Sequence, residues 1–282
     1  MKRLAKNIIS LIAGIVLLLA FSMIPIDIHN FAFPTNLFLL LGLIYFSLLA
    51  GRLSERFRFL SSRKAALLST IAVILLMIIH WLFYHRQIFI GSKLPIVLYD
   101  FSSSALFIFT WMFFLLVLGA VIARRLTIVK ENNISFLLNH IGLWITLSVG
   151  FFGQADSYTL QTTLVQNNMT SQAITKEGQL MELPFYIGLQ DIYSEFYSTG
   201  EPKAFNATIF IEKNNKTKRK TIAVNHPYRY KSYDIYLMKV GNNSCRVQIV
   251  YDPWRYIVLM GIIIMMMGAI CLFYNGIKTL KK

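Results

Sequence analysis

Five histidines and two cysteines are the side chains of this sequence best suited to metal chemistry, and their surroundings differ. His140 lies in NNISFLLNHIGLWITLSVGFFGQ, Asn132 to Gln154, a stretch without Asp, Glu, Lys or Arg. Neutral imidazole is a good ligand for iron. It is also polar, and polar or ionisable groups are costly in hydrocarbon. A histidine in such a run is either a packing group bonded to a neighbouring carbonyl or hydroxyl, or a ligand, and the residues alone leave both open. His226 stands in Asn225-His226-Pro227, where Asn and Pro form turns; a structural role accounts for it, with contact to a ligand or partner as the alternative. His80 and His85 flank Trp81 and Tyr84 at a spacing poor for one helical face, and they read as snorkelling interfacial groups. His29 is a loop residue without further signal. Met265-Met266-Met267 reads as packing or lipid-facing surface. Cys245 and Cys271 fall in different segments and form no disulfide framework. There is no C-x-x-C-H, nucleotide loop, zinc motif or nucleophile triad, and no catalytic residue is assigned.

The elements around these residues are set by hydropathy. The chain has 282 residues, 56% hydrophobic and 15% charged. Its apolar residues gather in uncharged runs at 7–24, 31–50, 65–84, 103–123, 134–153 and 256–274. A span needs ~20 apolar residues to cross ~30 Å of hydrocarbon. The pattern predicts a polytopic α-helical membrane protein with about six transmembrane helices. The first run ends in Phe21-Ser22-Met23-Ile24-Pro25 without a small-residue cleavage site, so it is expected to be a retained anchor.

Lysine and arginine set the orientation. Lys2, Arg3 and Lys6 precede the first run; Arg52, Arg56, Arg58, Arg63 and Lys64 lie between the second and third; Arg124, Arg125 and Lys130 lie between the fourth and fifth; Lys278, Lys281 and Lys282 end the chain. With an even number of spans all four groups fall on the cytoplasmic side, and much of the net charge of +15 is topology. No nucleic-acid partner is implied. The expected organisation is a membrane domain at 1–153, an extracytoplasmic β-rich domain at 154–252, and a final helix with a cytoplasmic tail at 253–282. At 1.5 Å per residue His140 lies roughly 10 Å into the inner leaflet.

Period-two patterning marks half-buried strands in the outer segment. Phe205, Ala207, Ile209 and Ile211 share one face, as do Tyr233, Ile235 and Leu237, and Val247, Ile249 and Tyr251. Ser198-Thr199-Gly200-Glu201-Pro202, Lys213-Asn214-Asn215-Lys216 and Gly241-Asn242-Asn243 supply turn chemistry between them. A small antiparallel sandwich or curved sheet is expected. Lys213–Lys220 reads as a solvated basic hairpin tip, with an electrostatic landing site as the alternative.

Three stretches carry a resemblance: LPFYIGLQDIYSEFYSTGEPKAF from Leu183, KTIAVNHPYRYKSYDIYLMKVG from Lys220, and YDPWRYIVLMGIIIMMMGAICLF from Tyr251. Together with NHIGLWITLSVGFFG and WMFFLLVLGAVIARR, they resemble the ResB (CcsB) family of System II cytochrome c biogenesis membrane proteins. The resemblance implies a haem-handling subunit of a cytochrome c synthetase. Such a subunit helps a CcsA-type partner move haem across the membrane and attach it to apocytochrome c. It implies His140 as an axial haem ligand, with His226 and His80 as lesser candidates, and haem b as a transient, transported substrate. The Trp-rich motif of the CcsA-type subunit is not here, since Trp81, Trp111, Trp144 and Trp254 are dispersed. The resemblance therefore implies a non-catalytic or co-catalytic subunit of a haem lyase (holocytochrome c synthetase) complex. The implied location is the bacterial cytoplasmic (inner) membrane, with 154–252 on the periplasmic side. The alternative is a membrane scaffold or permease-like protein whose β domain docks a secreted partner. No predicted span holds an internal Asp or Glu, which argues against ion coupling.

Overall fold

The structure is a computed structural model and describes residues 20–53, 55–86, 101–127, 134–196, 198–199 and 202–280. They fall into two compact units, Met1–Ala155 with Tyr256–Lys282, and Asp156–Arg255.

The first unit is helical. Its helices are α1 (Thr35–Leu48), α2 (Arg63–Arg86), α3 (Ala105–Arg125), α4 (Ile134–Gly153) and α5 (Arg255–Leu280). Among the described residues, five helices are long and apolar enough to cross a membrane. A helix satisfies its own backbone polar groups, which is why apolar runs of this length adopt it in lipid. Much of the helical surface is exposed and apolar, including Phe38, Leu67, Leu68, Ile270 and Phe273. The helices and a separate antiparallel sheet fit a membrane protein with a β-rich domain. The expected first span, 7–24, lies outside the described residues apart from a helical turn ending at Ser22. The run expected at 31–50 becomes helical only at Thr35. A 3₁₀ turn, Ile28–Phe31, precedes it, and Pro34 at the N-cap has no N–H to donate.

α3 is the centre of the unit and packs against α1, α2 and α4. Small residues allow the approach: a Cβ on Gly119 would fall 2.4 Å from Ser47 Oγ. Trp144 of α4 donates its indole N–H to Leu115 O of α3 at 3.0 Å. α4 and α5 meet backbone to backbone, where a Cβ on Gly142 would lie 2.4 Å from Met265 N and 2.6 Å from Gly261 O. Small residues of this kind let membrane helices touch along their main chains.

The second unit is an eight-stranded sheet in the order β5-β4-β3-β2-β1-β8-β7-β6. The strands are β1 (Tyr158–Val165), β2 (Met169–Thr175), β3 (Leu180–Phe196), β4 (Pro202–Lys213), β5 (Lys216–Ala223), β6 (Tyr228–Tyr230), β7 (Tyr233–Val240) and β8 (Ser244–Tyr251). Neighbours pair antiparallel throughout. The sheet curls so that β4 and β5 pack against β7. Its core holds Ala207, Ile209, Ile211, Ile235, Leu237, Val247 and Ile249, the inward positions of the period-two pattern. Asn214 and Asn215 have φ of 52° and 58° and turn β4 into β5. The Asp252-Pro253-Trp254 segment is a local hydrogen-bonded corner: Asp252 Oδ1 accepts from Trp254 N at 3.0 Å, and the Trp254 indole donates to Asp156 Oδ2 at 2.5 Å.

Candidate functional site

His140 lies in the second turn of α4, six residues after Ile134 and so ~9 Å along the axis. An (i, i+4) spacing places Phe136 one turn before it on the same face. The two rings stack, with centroids 3.7 Å apart and planes 24° from parallel. His140 Nδ1 lies 2.8 Å from Phe136 O. A carbonyl can only accept, so Nδ1 carries the proton, and Nε2 is left with the lone pair that binds metal. Among the described residues Nε2 has no hydrogen-bond partner. Phe136 also meets a cation: Arg125 Cζ sits 5.2 Å from the ring centroid. Guanidinium, phenyl and imidazole therefore follow one another from the end of α3 to the start of α4.

This stack borders a groove of about 640 Å³ between α2, α3 and α4. Phe114, Val117, Leu118 and Val121 of α3 form its floor. Arg63, Ala66, Ser69 and Thr70 of α2 form one wall, with Ser61 and Ser62 just before it; Phe136, His140 and Leu143 of α4 form the other. Arg63, Arg124 and Arg125 all line it at one end, where α2 begins and α3 finishes. Arg124 Nη1 reaches Ser61 Oγ at 3.4 Å, and none of the three guanidinia forms an ion pair among the described residues. Among the described residues no carboxylate lines the groove. The hydroxyls are spent within the helices, Ser69 Oγ and Thr70 Oγ1 on Ala66 O and Ser61 Oγ on Arg58 O. What remains is an apolar slot with one open imidazole nitrogen in its side and cations at one end.

The slot suits a large, flat, apolar molecule that carries a metal and has an anionic edge. Its volume is in the range of ligand pockets, ~300–1,000 Å³. Among the described lining residues His140 alone can ligate iron strongly, so they offer a single iron ligand. Haem fits this donor set.

The other histidines are elsewhere. His80 is ~25 Å along α2 from Arg63 and stacks on Phe101 at 4.9 Å. It is not brought to His140. His226 is exposed in a tight turn closed by paired hydrogen bonds between Ala223 and His226, with Asn225 at φ 63°. His29 Nδ1 lies 3.1 Å from Ala155 O and ties the 3₁₀ turn to the end of α4. The side chain of His85 lies outside the described residues. Met265, Met266 and Met267 are not among the described residues that line the groove. Among the described residues no cluster of three His, Cys, Asp or Glu could hold a metal ion. Phe136 and the three arginines were not singled out from sequence as site residues. The spacing of Phe136 to His140 was a readable signal, whereas the arginines registered only as topology.

In the β unit, burial governs the perturbed groups. The Cys245 thiol is pushed up to about 11 by burial. Tyr233 is raised by burial and by its 3.2 Å contact with the Tyr158 hydroxyl. These groups report a packed interior and offer no reactive site.

Comparison with known proteins gives the following likenesses. The ResB-like family model matches residues 131–247. "Cytochrome c biogenesis protein CcsB" from Synechococcus sp. (strain JA-3-3Ab) is 24% identical over 120 residues, 42% of this chain. The match spans 25% of that relative's length. A solved structure of "Cytochrome c Heme Lyase CcmF" superposes with a TM-score of 0.38 and 11% identity, covering 74% of this chain and 34% of that chain.

Proposed function

We propose, from the match of residues 131–247 to the ResB-like family model, that this chain is a haem-handling membrane subunit in cytochrome c maturation. The observation that carries the reading is the state of His140. Its Nδ1–H is fixed on Phe136 O, and its Nε2 is open in an apolar groove of about 640 Å³. Bound haem would supply an iron centre, and His140 would hold it through Nε2 with its own ring fixed in one orientation. Among the described residues no second strong iron ligand lines the groove, so a further ligand would come from another protein, in keeping with a CcsA-type partner.

On the six-span reading, with 7–24 as its first span, the β unit serves on the extracytoplasmic side, where apocytochrome c is met. The chain then lies in a bacterial cytoplasmic membrane and acts as a non-catalytic or co-catalytic subunit of a haem lyase complex. Haem b is its transient substrate, not a resident cofactor.

The test is the haem content of the chain copurified with its CcsA-type partner. His140→Ala is expected to lower haem occupancy and cytochrome c yield while both proteins still insert. Added imidazole is expected to restore part of the haem by filling the vacated position. Normal occupancy with an unchanged spectrum in His140→Ala would make His140 a packing residue.

A further inference from the structure

We propose that Arg63, Arg124 and Arg125 form a carboxylate cradle that binds the two propionates of haem and fixes its direction in the groove. The proposal rests on the haem reading above and adds which edge of the molecule lies at which end.

Three arginines line one end of one groove, drawn from two helices that are distant in sequence. Among the described residues none of the three has a carboxylate partner, and none that lines the groove is acidic. Arg124 is half-buried and steadied by Ser61 Oγ at 3.4 Å. Arg125 is held over Phe136, so its guanidinium plane is positioned by the same ring that stacks on His140. A guanidinium presents a planar fork that matches a carboxylate, and such charge-assisted pairs are stronger than neutral hydrogen bonds. The opposite end of the groove is Phe114, Leu118 and Leu143, which offers nothing to an anion. Charge complementarity therefore orients an amphiphile in one sense, with carboxylates at the arginine end and the apolar edge deeper. His140 then meets the ring between these ends.

The cradle also explains selectivity. A porphyrin without free carboxylates would still present iron to His140 but would leave the guanidinia unpaired. The preference between the two porphyrins is thus a property of the arginines alone, and the affinity common to both is a property of His140 and the walls.

That separation defines the experiment. The purified full-length chain in detergent is titrated with ferric haem and with ferric haem dimethyl ester, whose propionates are uncharged, and the Soret band is followed. Single variants Arg63→Gln, Arg124→Gln and Arg125→Gln are compared with His140→Ala. Each leaves most of the basic residues at 52–64 and 124–130 in place to hold the topology. The wild-type chain is expected to prefer the free acid by about tenfold or more, and the arginine variants to lose that preference while keeping their affinity for the ester. Arg124→Lys keeps the charge without the fork and is expected to fall between. His140→Ala is expected to weaken both porphyrins alike. Equal binding of acid and ester by the wild-type chain overturns the cradle. So does equal loss of both in the arginine variants, since the guanidinia would then only shape the groove. If phosphatidylglycerol added to the micelles abolishes the wild-type preference, the arginines hold a phospholipid headgroup and the proposal falls. An intact preference with no effect of His140→Ala leaves the cradle standing and removes the coordination reading instead.

Discussion

Gly142 and Gly150 both lie on α4, and alanine at the two positions is expected to have opposite effects. A Cβ at Gly150 meets nothing within 4 Å. Alanine there gains helix propensity, up to about 1 kcal/mol, at no steric cost. A Cβ at Gly142 would stand 2.4 Å from Met265 N and 2.6 Å from Gly261 O, both backbone atoms of α5 that no rotamer change can move. Carbon needs ~3.5–4.0 Å, so α4 and α5 must part by roughly 1 Å along this contact. A gap of that size forfeits a quarter to a half of each neighbouring dispersion contact, and overpacking of this kind costs about 1–3 kcal/mol. The two variants should thus differ by about 1–3 kcal/mol, or roughly 2–4 °C in melting temperature for each kcal/mol in a chain of this size. The assay is thermal denaturation of the purified protein in detergent. Gly142→Ala is expected to melt below the parent and Gly150→Ala at or above it. Haem binding should fall in Gly142→Ala too, because His140 is carried by the same stretch of α4. Equal melting temperatures would refute the reasoning and mean that α4 and α5 are not in backbone contact.

Cys245 is buried, and burial pushes its thiol up to about 11 from an ordinary value of 9.0. The folded form then holds the proton more tightly than the unfolded one. Its contribution to stability is complete below pH 9 and declines as pH rises toward 11. Iodoacetamide at pH 8 is expected to spare Cys245 in the native protein and to modify it after denaturation; rapid native labelling would contradict a packed β core. Reporter fusions at Lys216 and Lys282 are expected to fall on opposite sides of the membrane. The same side for both would remove the six-span arrangement.

Strands β4, β7 and β8 were legible because their pattern is local. Ile235 and Leu237 of β7 and Val247 and Ile249 of β8 recur at every second position, and a strand buries every second side chain. The helices were legible as apolar runs for a similar reason. The start of α1 was not, because hydropathy is blind to Pro34 and to the turn before it. The sheet order was also hidden. β1 pairs with β8 from the far end of the domain, and nothing in the period of either strand names its neighbour.

The site divides along the same line. His140 stood out because an imidazole in an uncharged run needs a reason, but the groove depends on three helices whose pairing no local pattern states. The arginines were visible and were assigned one role, orientation. Both roles place them at the same depth. An arginine at the middle of a span costs ~2.5–3.5 kcal/mol even by insertion measurements, so a carboxylate-binding arginine belongs at a helix end, where positive-inside topology also puts it. Arg63 begins α2 and Arg124 and Arg125 end α3, while His140 stands ~9 Å inside α4. On the proposed orientation a ligand with charged and apolar edges would satisfy both at once: its carboxylates would stay near water, and its metal would reach the imidazole. The offset between the cations and His140 is thus the feature that joins topology to binding. Moving the histidine one turn deeper, by exchanging His140 and Trp144, would keep every Lys, Arg, Asp and Glu in place and leave the composition unchanged. It would also separate the imidazole from Phe136 and from the arginine end, and on this reasoning it should abolish haem binding without altering orientation.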